Sequence, residues 1–216
     1  MPRADLLIAP LLAALAVSPA AAQPRDDDGD AIVEEMNRVR GDPRGYARSL
    51  RDYRDGYEGR IVTLPDRDDR LMTQEGVAAV DEAIRFLERQ PPLPPLLPSE
   101  IFAGAAADHV RDQGDRGATG HVGSGRSTPG MRVQRRGGKI YVGESITYGP
   151  DNAEDAVRQL IIDDGVPMRG HRKMLFDTRW RHAGAACGPH RNYRWMCVID
   201  FGETANGDVR PPTPRE

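Results

Sequence analysis

The chain is short of cysteine, of net charge and of long apolar runs, and each shortage narrows what it can be. Only two of its 216 residues are cysteine, Cys187 and Cys197. Neither lies near the N-terminus, so a lipid-anchored lipoprotein is not expected. The apolar run from Leu6 to Val17 is too short, and too abruptly followed by Gln23-Pro24-Arg25-Asp26, to span a bilayer. A net charge of −3 argues against a nucleic-acid partner. The basic group Arg132, Arg135, Arg136 and Lys139 has no aromatic residues interleaved for stacking bases, and it reads as a solvated face. Neither His-Glu-x-x-His nor Gly-x-Ser-x-Gly in a strand-turn-helix setting occurs, and no internal repeat is evident.

What is present begins with an export signal. Arg3 precedes the Leu6 to Val17 run, and Ala20-Ala21-Ala22 suits cleavage before Gln23. Residues 1–22 are thus expected to be a signal peptide, and the mature protein to be secreted or periplasmic. Residues 23–29 read as a linker, residues 30–203 as one domain with a real core, and the proline-rich, charged residues 204–216 as a disordered tail.

Asp30 can cap a helix with Ile32, Met36 and Val39 on its apolar face, and Asp42-Pro43 stops it and can start another. A long polar connection through Tyr53, Tyr57 and Asp66 to Arg70 leads to a helix marked by Val77, Val80, Ile84 and Leu87, which Pro91-Pro92 ends. Pro91 to Pro98 is a stiff connector, and Ser99 caps a helix carrying Phe102, Ala106, His109 and Gln113, in which His109 reads as a core or supporting residue. Gly114 to Gly138 reads as a long surface loop, followed by a short strand from Lys139 to Val142 with Glu144 at its end. A helix from about Ala153 packs through Ala156, Val157, Leu160 and Ile161.

Asp163 and Asp164 close that helix, where carboxylates oppose the macrodipole, and this misplacement makes them site candidates. Arg169, Gly170 and His171 follow in one loop. The last elements form a hairpin turning near Asn192, which sets Cys187 opposite Cys197, close enough for a disulfide in an oxidising compartment. A metal-binding use of the cysteines is weak, since His190 alone does not complete a ligand set.

Three glycine-led polar residues stand out: Gly120-His121, Gly143-Glu144-Ser145 and Gly170-His171-Arg172. Glycine before each leaves backbone freedom and an unobstructed side chain, which suits one site assembled by folding. With Met36-Asn37-Arg38-Val39-Arg40, Ile161-Ile162-Asp163-Asp164-Gly165 and the closing Cys197-Val198-Ile199-Asp200-Phe201-Gly202, the order of parts resembles the CAP superfamily of cysteine-rich secretory, antigen 5 and pathogenesis-related proteins. The bacterial SCP-domain branch is closest in style, and the resemblance covers roughly residues 30–203.

The resemblance implies an α+β fold, a three-layer α-β-α sandwich with a small antiparallel sheet and a cleft of two histidines and two acids. Position by position it points to His121, Glu144 and His171, with Asp163 as the second acid and Asp164 as the fallback. Ser145 stands for the family's Asn, Gly123-Ser124-Gly125-Arg126-Ser127 for its Gly-Ser-Asp-Gly-Ser, and Met174 for another Asn. Each exchange removes a polar group from the expected cleft. The expected ligand cleft therefore comprises His121, Ser124, Glu144, Asp163, Asp164, His171 and Arg172.

Two neutral imidazoles at His121 and His171 could bind a divalent cation such as zinc, with Glu144 and Asp163 accepting the outward ring hydrogens. Two histidines alone make a sparse metal centre. Three functional classes stay open: a carrier of a lipid or other small apolar ligand, a hydrolase using His121 or His171 as base with Ser124, Ser127 or a metal-bound water as nucleophile, and an interaction module for envelope components.

Overall fold

The computed structural model of the chain describes residues 26–64 and 70–209. The expected signal peptide, residues 23–25 and residues 210–216 lie outside the described residues. The described chain runs α1 (Asp26–Gly41), α2 (Pro43–Asp55), β1 (Tyr57–Glu58), β2 (Ile61–Thr63), β3 (Arg70–Met72), α3 (Val77–Arg89), β4 (Leu97–Pro98), α4 (Glu100–Arg116), α5 (Pro129–Arg135), β5 (Gly143–Tyr148), α6 (Ala153–Ile162), α7 (Gly170–Leu175), β6 (His182–His190) and β7 (Arg194–Gly202).

The C-terminal hairpin forms the middle of the main sheet, whose strand order is β4-β6-β7-β5. Its register sets Cys187 opposite Cys197, and the two are joined by a disulfide. Closing so short a loop restricts the unfolded chain and contributes about 3 kcal/mol in the chain-entropy model. The β5–β7 and β6–β7 pairings are antiparallel, while β4 adds in parallel through Leu97 and Pro98.

Alternation along these strands sorts the helices into two layers. Ala183, Ala185, Cys187, Cys197, Ile199 and Phe201 join the core built with α1, α2, α3, α6 and α7. On the opposite face Ile146, Met196 and Val198 pack with Ala106 and Val110 of α4. The result is the α-β-α sandwich. Small residues on β6 let both layers close on it: a Cβ on Gly184 would lie 2.2 Å from the Ala103 nitrogen of α4, and one on Gly29 of α1 would lie 2.2 Å from the Ala185 carbonyl oxygen.

Several expectations are corrected. The first helix starts at Asp26, so Asp30 lies within it and residues 26–29 are helical rather than linker. The polar connection after α2 folds into a second, three-stranded sheet, β1-β2-β3. The strand expected at Lys139–Val142 is instead Gly143–Tyr148, with Glu144 at its start. Gly114 to Gly138 is not all loop: α4 continues to Arg116, and α5 follows Thr128, whose hydroxyl accepts from the Met131 N–H at 3.3 Å, with proline in its first turn. His171 lies on a helix, α7. The first residues of the expected tail are docked: the Asn206 and Gly207 carbonyls accept from the Lys139 and Tyr141 N–H groups, and the Ala205 carbonyl accepts from Ser99.

Two α1 side chains fasten the proline connector. Asn37 accepts from the Leu96 N–H at 2.7 Å and donates to its carbonyl at 3.0 Å. Arg40, fully buried, donates to the Pro94 and Leu175 carbonyls, and burial lowers its guanidinium to about 10. Leu96 is 2% exposed, so removing its partner strands two buried backbone groups. Asn37→Ala is expected to cost about 3 kcal/mol in urea unfolding, and a loss below about 1 kcal/mol would show that the connector is held by other contacts.

Candidate functional site

His121 is positioned through the residue before it. Gly120, at φ +88°, is held on both sides of its backbone. Its N–H donates to the Tyr148 hydroxyl at 2.9 Å, and its carbonyl accepts from Gln113 Nε2 at 2.6 Å and from His109 Nε2 at 2.9 Å. The Tyr148 hydroxyl in turn donates to Gln113 Oε1 at 2.9 Å. His109 is buried and does support the fold as expected, with burial pushing its imidazole below the ordinary value.

Thus set, the His121 ring places Nδ1 2.8 Å from Glu144 Oε1. Glu144 projects from β5 onto the α4 face, and its side chain is 1% exposed while that of His121 is 53% exposed. Its second oxygen is bound by Arg132 of α5, also buried, whose Nη1 donates to the His121 and Ser127 carbonyls at 3.2 and 3.1 Å. Arg132 is therefore not part of a solvated basic face. Its charge compensates Glu144 where water cannot, and its Nη1 fixes the loop that carries His121. Arg135, Arg136 and Lys139 are exposed, and Arg136 pairs with Asp108.

His171 is built from the opposite layer. α6 ends at Asp163, which adopts the left-handed conformation at φ 57°, ψ 41°. Its Oδ1 lies 2.7 Å from His171 Nδ1, and its Oδ2 accepts the His171 backbone N–H at 2.9 Å. Asp163 thus receives both the ring and the first turn of α7. Its side chain is 2% exposed and that of His171 is 29% exposed. The unfavourable acid at a helix C-terminus is offset by two arginines. Arg172 donates to the Ile161 and Ile162 carbonyls, and Arg169 to the Asp163 carbonyl.

The remaining expected cleft residues are placed elsewhere. Asp164 accepts the Gln74 and Glu75 N–H groups at 2.7 and 2.8 Å and joins the turn before α3 instead of either histidine. Arg172 is buried on the α6 carbonyls and Glu82, stacked over Phe86, so it is a structural cation. The Ser124 N–H and hydroxyl both face Asp112. Met174 packs against Gly143, and its sulfur accepts from Trp180 Nε1 at 2.9 Å. Among the described residues no group of three or more His, Cys, Asp or Glu side chains is arranged to hold a metal ion. Sequence reasoning missed Arg132, Gln113 and Tyr148 as positioning residues. The Thr128-Pro129 helix start was the available signal for Arg132, since it makes Arg132 helical.

In both pairs a carboxylate accepts at Nδ1, so the neutral ring carries its proton there and leaves the Nε2 lone pair free. These features define an α-β-α sandwich with two histidine–carboxylate pairs, one from each helical layer. A family model described as the cysteine-rich secretory protein family, CAP, matches residues 33–201, and the chain belongs to that family.

Among solved structures, the chain is similar to an extracellular protein containing a SCP domain from Bacillus anthracis, at 21% identity over 58% of this chain and 37% of that one, with a TM-score of 0.42. It is also similar to an outer surface protein of Borrelia burgdorferi, at 15% identity over 50% of this chain and 77% of that one, with a TM-score of 0.42. A cysteine-rich secretory protein of Staphylococcus aureus gives 12% identity over 58% of this chain and 37% of that one, with a TM-score of 0.35. The chain thus spans little over a third of the Bacillus protein. No curated protein gives a significant match.

Arg169, itself in the left-handed conformation at φ 50°, ties the loop before α7 to α3 and the turn leading into it by binding both oxygens of Glu75 at 2.6 and 2.7 Å and Glu82 Oε2 at 2.6 Å. The Arg169 side chain, then the Gly165 N–H, hold Glu75 down to about 2, from an ordinary 4.5. A depressed acid stabilises the fold above its unfolded value, and that contribution disappears as pH falls through the folded value. Between about pH 4.5 and 2 the parent should therefore lose stability toward that of Glu75→Gln. Urea midpoints across this range test it, and a constant difference between the two proteins would show that the Glu75 contact is not ionic.

Proposed function

We propose that the two histidine–carboxylate pairs flank a cleft that binds a small or lipid-like ligand, in a protein exported from the cytoplasm. The carrying observation is that both rings are fixed through Nδ1 by buried carboxylates while Nε2 is left as an acceptor on an accessible ring. Large apolar side chains stand exposed beside both pairs in sequence: Val122 follows His121, and Met168 lies in the loop before His171. A donor group on an otherwise apolar ligand would satisfy this combination.

The same lone pairs could accept a divalent metal such as zinc, held by His121 and His171 with Glu144 and Asp163 as outer partners. Exported placement is supported by the signal-peptide pattern of residues 1–22, and it accords with the extracellular and outer-surface descriptions of the similar proteins. Among the described residues no helix is long and apolar enough to cross a membrane. The serine-nucleophile reading has less support, because the Ser124 hydroxyl faces Asp112 rather than either histidine.

Native mass spectrometry of residues 23–216 purified from the periplasm, beside His121→Ala/His171→Ala, tests the proposal. Extra mass of a lipid or one metal ion is expected in the parent and not in the variant. The same mass retained by the variant, or none in either protein, would overturn it.

A further inference from the structure

Behind the His121–Glu144 pair lies a second carboxyl group. Asp200 on β7 stands directly opposite Glu144 on β5 in the strand register. It is 0% exposed, and neither carboxyl oxygen has a hydrogen-bond partner among the described residues. Its partner on the other side, in β6, is Gly184, which brings no side chain. The charged groups that act on it are Glu144 from β5 and Arg132 from α5. From α4, the fully buried His109 lies near enough to feel both Glu144 and Arg132.

This pocket holds one fixed cation and two carboxyl groups, and charge balance leaves one carboxyl neutral. Arg132 compensates Glu144, to which it is bonded. A second ionised carboxylate, closed to water and with no donor aimed at it, would be an uncompensated buried charge. Two carboxyl groups sharing a site instead retain a proton between them. Burial first, and then the Glu144 charge, push Asp200 well above the ordinary carboxylate range, against a smaller downward pull from Arg132.

We propose that Asp200 is a positioning residue for His121: it remains a carboxylic acid, donates its proton to Glu144, and so orients Glu144 as the acceptor of the His121 Nδ1–H. The order is then Asp200 to Glu144 to His121, with Arg132 bracing Glu144 from α5. His171 has a different arrangement, in which Asp163 takes both the ring and a backbone N–H. The two histidines are therefore not equivalent, and only His121 is backed by a buried neutral acid. The inference builds on the reading of His121 as a ligand-facing group, but its test needs no ligand.

The experiment compares the parent with Asp200→Asn and Asp200→Leu by NMR, reading the Asp200 carboxyl carbon and the ring nitrogens of His121 and His171. The Asp200 carbon is expected to keep its protonated shift through pH 7. Asp200→Asn, whose amide can still donate to Glu144, is expected to preserve the single Nδ1–H pattern of His121. Asp200→Leu is expected to lose that pattern, leaving His171 unchanged.

Stability supplies a second readout. A folded acid raised above its unfolded value of 3.8 makes the folded state bind more protons, so the parent's unfolding free energy falls as pH rises above that point, and Asp200→Asn removes this slope. An Asp200 carbon that is ionised at pH 7, or a folded Asp200→Leu protein with parental His121 nitrogens, would overturn the proposal. Should Asp200→Leu fail to fold, the parent's carboxyl shift and the Asp200→Asn slope still decide it. Loss of bound mass in the His121 variant bears on ligand binding and leaves these carboxyl signals untouched, so the two readings fail separately.

Discussion

The architecture depends on how closely two helical layers can approach one strand. β6 reads His-Ala-Gly-Ala-Ala-Cys-Gly, and its smallest residues lie where α1 and α4 press on it from opposite sides. A side chain at Gly184 would strike the α4 backbone, and one at Gly29 would strike β6 itself. β7 beside it then carries the bulk, with Met196, Val198, Ile199 and Phe201 filling the space on both faces. Placement of α4 by this contact fixes Gln113 and His109, and through them Gly120 and the direction of the His121 loop.

Arginine does much of the internal bonding. Arg40, Arg132, Arg169 and Arg172 are all buried, and each donates to backbone carbonyls at helix ends or in loops. The planar guanidinium suits this because it can hold a carboxylate and carbonyls at once, as Arg132 does with Glu144, His121 and Ser127. Both histidine–carboxylate pairs rest on charged groups closed to water, Glu144 with Arg132 and Asp163, so the orientation of each ring is set by directional bonds.

Much of this was legible in the sequence. The hairpin symmetry about Asn192 gave the cysteine pairing, Asp42-Pro43 and Ser99 gave two helix starts, and the misplaced acids at the end of α6 drew attention to both Asp163 and Asp164. Helical and strand periodicity carry such information locally. The burial of Arg132 was not readable, because a run of basic residues looks the same whether one turns inward or none does. The choice of Asp163 over Asp164 depended on one left-handed residue, which sends adjacent side chains to different partners. Short elements such as β1 to β3, α5 and α7 have too few residues for periodicity to show, although Thr128-Pro129 marked α5.

β5 is an edge strand of the main sheet, with β7 on one side. Its Glu144, Ile146 and Tyr148 belong to the α4 layer, while Thr147 is bonded to Gln159 of α6 in the other. One histidine comes from each of these layers, so the proposed cleft between the two rings would straddle the sandwich at its β5 border instead of lying inside either half. A molecule gripped by both rings would act as a cross-brace between the layers along the side where, among the described residues, no further strand joins β5, and the sandwich would become stiffer at that border.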